Sequence, residues 1–450
     1  MKPLLALWLY ALVLRLATPF YLRRVWTRGR EEPDYRWHWW ERLGLYGAAH
    51  RAGVSRYAVS ASMPGARPVV WVHAVSLGET RAAAALIAAL RTAVPGMRLL
   101  LTHSTATGRA EGVRLLQAEH GDLQTWLPYD TPGAVRRFLR LHRPAVGVLM
   151  ETEVWPVLQH QARCAGVPMV LANARLSDKS LRQGLRFASL MQPAARALSL
   201  VLAQTQDDAA RLTTLLAPDP SSPQKPVVRV CGNVKFDMRP SPSLLMLGQR
   251  WRDASERAVV LATSTREGEE AGLLDAWLAW GRTPRRPRLL IVPRHPQRFD
   301  EVAALVLARG LSLSRRSEWP ADAPPDDVAL SADVWLGDSM GEMPAYYAAA
   351  QVALLGGSFA PLGGQNLIEA AACGCAIVMG PSTFNFAEAA ELSEQAGAAR
   401  RVADWEEGVR TALAWMGEAA ADQRAATCLA FARAHQGAAA TMAEAIAAQL

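Results

Sequence analysis

At 450 residues, half of them hydrophobic and a fifth charged, the chain is too long for one ordinary domain and too apolar to be disordered. The net charge of +8 rests on arginine far more than on lysine, which suits bidentate contacts with phosphate or carboxylate groups. The basic residues are dispersed, however, with no zinc-finger spacing and no aromatic-glycine RNA-binding signature, so nucleic acid is set aside. The five cysteines form no Cys-x-x-Cys pair and the nine histidines show no ligand spacing, so neither a disulfide framework nor a metal site is expected.

The chain starts with an apolar run, Pro3 to Leu14, which resumes after Arg15 as LATPFYL. Residues 1–30 are expected to form a membrane-associated helix of marginal length for a span. Arg23, Arg24, Arg28 and Arg30 follow with no acid before Glu31, a bias that keeps the downstream chain in the cytoplasm. Trp8, Tyr10, Tyr21, Trp26, Trp37, Trp39 and Trp40 favour a headgroup layer. A cleaved signal peptide and a tryptophan-rich core helix are the competing readings.

From Val69 the text alternates short Val/Leu/Ile runs with helical stretches: VVWVHAV, RLLLTH, LQTWLP, AVGVLM, PMVLANA, LSLVLAQ and VVRVCG. Such runs predict a parallel sheet with helices on both faces, over residues 31–237. MRPSPS, residues 238–243, reads as a linker. AVVLATS, RLLIVPR, DVWLGD, VALLGG and CAIVMG predict a second fold of the same kind over 244–425, and a last helix, 426–450, is expected to pack back toward the first domain. The predicted class is α/β, two Rossmann-like doubly wound domains facing a cleft.

Ligands of such sheets bind beyond the strands' carboxyl ends. After the first run, HAVSLGET puts Glu79 in the first turn of a helix, where the macrodipole favours the ionised form; a helix cap is its plain alternative. AVGVLM runs into METEVWP, where alternation in an extended chain would point Glu151 and Glu153 the same way, as a catalytic carboxylate and a cap or as two solvated acids. GNVKFD places Lys235 at the hinge, for a ligand or for an interdomain ion pair. In the second half TSTREGEE, PRHP, GDSMGE, GGS and GGQNLIE follow successive strands. Each alone passes for a turn, but their recurrence makes this half a nucleotide site with phosphate recognised by arginine and helix ends. No Asp-x-Asp pair is present, so leaving-group charge must be met by the protein.

In order, the motifs WERLGLYG, HAVSLGET, LPYD, METEVWP, NARLS, GNVKFD, TSTREGEE, PRHP, GDSMGE, GGS, GGQNLIEAA and GPSTFNF closely resemble the 3-deoxy-D-manno-octulosonic acid (Kdo) transferases of lipopolysaccharide synthesis over nearly the whole chain. The resemblance implies a GT-B fold, CMP-Kdo as donor substrate with no cofactor, and a lipid A precursor as acceptor at a membrane surface, with inversion at the anomeric carbon. It puts the catalytic base at Glu79 and transition-state support at Glu151 and Lys235. CMP contacts map onto Pro293, Arg294, Met340, Gly341, Glu342, Asn366, Leu367, Ile368 and Glu369. Where many relatives read Gly-Gly-His-Asn-Pro, this chain has Gln365 and Leu367. The rivals are a GT-B enzyme that moves N-acetylglucosamine from UDP, and an inactive membrane-bound nucleotide sensor, which would need neither Glu79 nor Glu151.

Overall fold

The computed structural model describes residues 3–58, 67–216, 226–281 and 286–450. They divide into two compact units, Met1–Asp237 with Gln436–Leu450 and Met238–His435. The chain therefore returns to the first unit at Gln436, ten residues beyond the expected 426, because the helix Glu418–Ala434 stays with the second unit. Pro242, within the expected linker, already opens the helix Pro242–Ala254.

The first unit holds seven strands: β1 (Val69–His73), β2 (Arg98–His103), β3 (Leu123–Trp126), β4 (Val146–Met150), β5 (Met169–Ala174), β6 (Leu200–Ala203) and β7 (Val227–Val230). They pair in parallel in the order β3-β2-β1-β4-β5-β6-β7. All seven expected runs are strands. Alternation explains the layers: Val70 and Val72 point to one face, packed with Leu86 and Leu90 of the helix Leu77–Ala93 and with Met442 and Ile446 of the helix Ala438–Ala447. Trp71 points to the other face, among Phe138, Leu158 and Leu171. Burial on both faces is why β1, β2, β4, β5 and β6 read as apolar runs, whereas β7, at the sheet's edge, is mostly exposed.

The second unit repeats the plan with β8 (Val259–Thr265), β9 (Arg288–Pro293), β10 (Leu313–Arg315), β11 (Val334–Leu336), β12 (Val352–Leu355), β13 (Ala376–Met379) and β14 (Ala399–Arg401). Their order is β10-β11-β9-β8-β12-β13-β14, all parallel. The edge strands β10 and β14 are three residues long and partly exposed, so they lack the apolar run by which the other five were recognised.

The N-terminal helix, Pro3–Arg28, is long and apolar enough to cross a membrane. It lies against the first unit. Ala6 and Ala11 are buried, Leu7 and Tyr10 pack on the Trp71 face, and the Tyr10 hydroxyl hydrogen-bonds the Asp130 carboxylate.

Candidate functional site

In a doubly wound sheet the ligand crevice opens between the two strands whose onward connections run to opposite sides. In the first sheet these are β1 and β4, and the two segments singled out in the sequence follow them directly. Ser76 caps the helix Leu77–Ala93 by accepting the Glu79 N–H at 3.4 Å, while a Glu79 carboxylate oxygen accepts the Val75 N–H at 2.8 Å. At rest Glu79 thus does the capping that was its alternative reading. Its carboxyl is nevertheless raised above the ordinary range. Burial is the main cause and Glu151 adds to it, against the pull of the Val75 N–H, Ser76 and Lys235. Desolvation outweighs the helix end, contrary to the expectation drawn from the macrodipole.

Glu151 is not extended: its φ is 60°, a left-handed conformation that costs a non-glycine residue of the order of 1 kcal/mol. Alternation therefore ends at Met150, and the two acids do not point the same way by that rule. The turn buries the Glu151 carboxylate between two cations, Lys235 Nζ at 3.1 Å and Arg175 Nε at 3.1 Å. Lys235 pairs within the first unit, so its partner is Glu151 and not an acid of the other domain. Its loop is fixed from both sides, since Asn173 accepts the Val234 N–H and Asn233 accepts the Lys235 N–H. Glu153, which the sequence left as a catalytic carboxylate, a cap or a solvated acid, is not freely solvated and is part of the cluster. Burial pushes its carboxyl up to about 7, with Glu79 and Glu151 adding. Arg175, in NARLS, was also missed; its only signal was a cation directly after β5.

In the second sheet the crevice opens between β8 and β12. Glu269 ties the two following loops together, its carboxylate accepting N–H groups from Gly357 at 2.7 Å, Arg266 at 2.9 Å and Ala360 at 3.2 Å. Glu270 pairs with Arg298 at 2.7 Å and so fastens the same helix, Glu269–Ala279, to the turn after β9. The nine expected nucleotide contacts all sit in this unit. Pro293 ends β9, and Arg294 follows with its N–H on the Thr265 carbonyl. Met340 is exposed, Gly341 is left-handed, and Glu342 accepts from Arg316 at 2.8 Å and from Ser339. Asn366 caps the helix Leu367–Ala372 by accepting the Ile368 N–H at 3.2 Å, with Glu369 in its first turn. The Leu367 and Ile368 side chains are buried in the core, so any contact they offer is main-chain.

Residues 37–238 match the family model for 3-deoxy-D-manno-octulosonic acid transferases. A transferase of that name from Bordetella pertussis is 48% identical over 413 residues, covering 90% of this chain and 89% of that one. The chain belongs to the Kdo transferase family. Another member, from Haemophilus influenzae, is 32% identical, with 84% and 83% of the two chains covered. The enzyme is thus a glycosyltransferase. Among solved structures, a glycosyltransferase from Rickettsia africae matches with a TM-score of 0.54 at 12% identity, covering 84% of this chain and 96% of its own. The Anabaena HepE structure in complex with UDP matches at 0.52 and 16%, covering 84% and 97%. At such identities the likeness speaks for fold, and that fold is GT-B, as the Kdo transferase motifs implied.

Proposed function

We propose that this Kdo transferase moves Kdo from CMP-Kdo to a glucosamine hydroxyl of a lipid A precursor in lipopolysaccharide synthesis, with inversion, at the cytoplasmic face of the inner membrane. The observation that carries the reading is the cluster at the first crevice: Glu79 held on a main-chain N–H, beside a Glu151 carboxylate saturated by Lys235 and Arg175. Glu79 takes the proton of the acceptor hydroxyl as its oxygen forms the bond to the anomeric carbon. The electron pair of the broken bond leaves with CMP from the opposite face, so one displacement inverts the centre. Glu151 is held in ion pairs with Lys235 and Arg175. It holds Lys235 as a fixed positive charge, which supports charge developing on the departing phosphate. Arg294 and the loops after β11 and β12 are the CMP contacts.

The N-terminal helix supports the membrane part. At 26 residues it is about 39 Å long, but one stripe is docked on the first unit and unavailable to lipid. The opposite stripe, Trp8, Leu12, Leu16 and Phe20, is exposed, and this reads as a helix lying in the interface. The test is to incubate the full chain with CMP-Kdo and a lipid A precursor and weigh the products. The wild type should add whole Kdo masses. Glu79→Gln keeps an oxygen for the Val75 N–H and should remain folded while turnover falls about a hundredfold to ten-thousandfold. No Kdo adduct from the wild type, with transfer from a UDP-sugar instead, would overturn the donor assignment; near-normal Glu79→Gln would overturn the base.

A further inference from the structure

The second crevice holds a cation that none of the expected contacts includes. Arg266 follows β8, Gly357 follows β12, and these are the two strands between which that sheet opens. Gly357 is left-handed, with a φ of 70°, and has no side chain to fill the space over it. A Cβ placed there would lie 3.1 Å from Gln365 Nε2 and 3.7 Å from Arg266 Cγ. A guanidinium stem and an amide thus flank one bare stretch of backbone.

The charges around this point are unbalanced. Among the described residues no carboxylate pairs with the Arg266 side chain. The nearest acid in the chain's course that is buried, Glu269, spends its carboxylate on three N–H groups of the surrounding loops. His295, in the turn after β9, is held below its ordinary basicity by burial, then by Arg266, Arg294 and Arg298. Of these, Arg298 is neutralised by Glu270 and Glu301. Arg266 has no such partner among the described residues, although a cation left in a crevice gains most from a planar two-oxygen anion.

We propose that Arg266, whose stem lies beside Gly357, and the Gln365 amide on the same bare stretch of backbone grip the anionic group where the donor's sugar meets its nucleotide. That group is either the phosphodiester or the carboxylate of the sugar acid, since both present two oxygens in one plane. The inference rests on the donor reading above. It also accounts for Gln365, whose amide donates to an anion oxygen, and for the Gly357 backbone, which must stay bare for the anion to approach.

The test uses the full-length enzyme with CMP-Kdo as substrate and CMP as competing ligand, comparing wild type with Arg266→Ala, Arg266→Lys and Gln365→Ala. Loss of a charge-assisted pair should raise KM for CMP-Kdo about ten- to a hundredfold in Arg266→Ala. Arg266→Lys, which keeps charge but not the fork, should recover only part, and Gln365→Ala should show a smaller rise of the same kind. If the phosphodiester is held, the CMP inhibition constant rises by the same factor as KM. If the carboxylate is held, CMP inhibition is unchanged while KM rises. KM and CMP inhibition both within about twofold of wild type in folded Arg266→Ala and Arg266→Lys would overturn the subsite. A wild type that neither uses CMP-Kdo nor is inhibited by CMP would instead overturn the donor reading, and the subsite with it.

Discussion

Glu153 is the residue whose environment most clearly conflicts with its charge. Folded, its proton is retained up to about 7, whereas an unfolded glutamate loses it near about 4.3. For a carboxyl raised by folding, the favourable contribution is complete below the unfolded value and is lost as pH rises through the folded one. Glu153→Gln, neutral throughout, is therefore expected to melt close to wild type at about pH 4 and a few degrees above it at about pH 8, read by differential scanning calorimetry. An equal gap at both pH values would mean that the substitution acts by packing and not by charge. The sequence reading placed Glu79 correctly in the first turn because Ser76-x-x-Glu79 is a local signal. It put Glu151 at the end of its strand but not in the left-handed turn that sends it to Lys235, since alternation presumes an extended chain. Arg175 went unassigned because its partner Glu151 follows a different strand, and the role of Glu153 stayed open because the desolvation it meets is not a local signal. The meeting of Arg266 and Gln365 at Gly357 likewise depends on β8 lying beside β12, a pairing that no local pattern encodes.

Among the elements, the N-terminal helix shows how composition alone leaves geometry open. Its residues are apolar on nearly every side, so the sequence points to a membrane-associated helix but leaves open whether it spans the bilayer or lies on it, with a core helix as the competing reading. The structure divides it into two stripes. Ala6, Tyr10 and Ala11 belong to the docked side, and Trp8, Leu12, Leu16 and Phe20, spaced by four, to the free side. Replacing those last four by serine should leave the fold of the first unit intact, because none of them is in its core. Recovery on vesicles containing anionic lipid should fall severalfold in a flotation assay, and the arginines that follow should make the remainder salt-sensitive. Undiminished flotation would mean that membrane contact lies elsewhere. The strands show the converse: runs buried on both faces were legible, and so was the exposed edge strand β7 through its valines, whereas β10 and β14, only three residues long and carrying arginine, were not.

For the whole molecule, the two units differ in how the chain builds them. The second is one continuous stretch, Met238–His435, while the first is completed only when the chain returns at Gln436. The returning helix, Ala438–Ala447, is structural. Met442 and Ile446 are fully buried in the first unit's core, and the Asp237 carboxylate caps the helix, accepting N–H groups from Gly437 at 2.5 Å and Ala439 at 2.6 Å. Burial of two such side chains contributes about 1.5–3 kcal/mol each and the cap about 1 kcal/mol. Together these approach the whole stability of a typical domain, about 5–15 kcal/mol. A chain ending at His435 should therefore lose the cooperative melting of the first unit and become protease-sensitive there, while Met238–His435 still melts as a unit. Asp237→Ala, which keeps the helix and removes only its cap, should lower the first transition by a few degrees and leave the second unmoved. A truncated chain whose first transition persisted at the wild-type temperature would show that the terminal helix rests on the first unit's core without contributing to it.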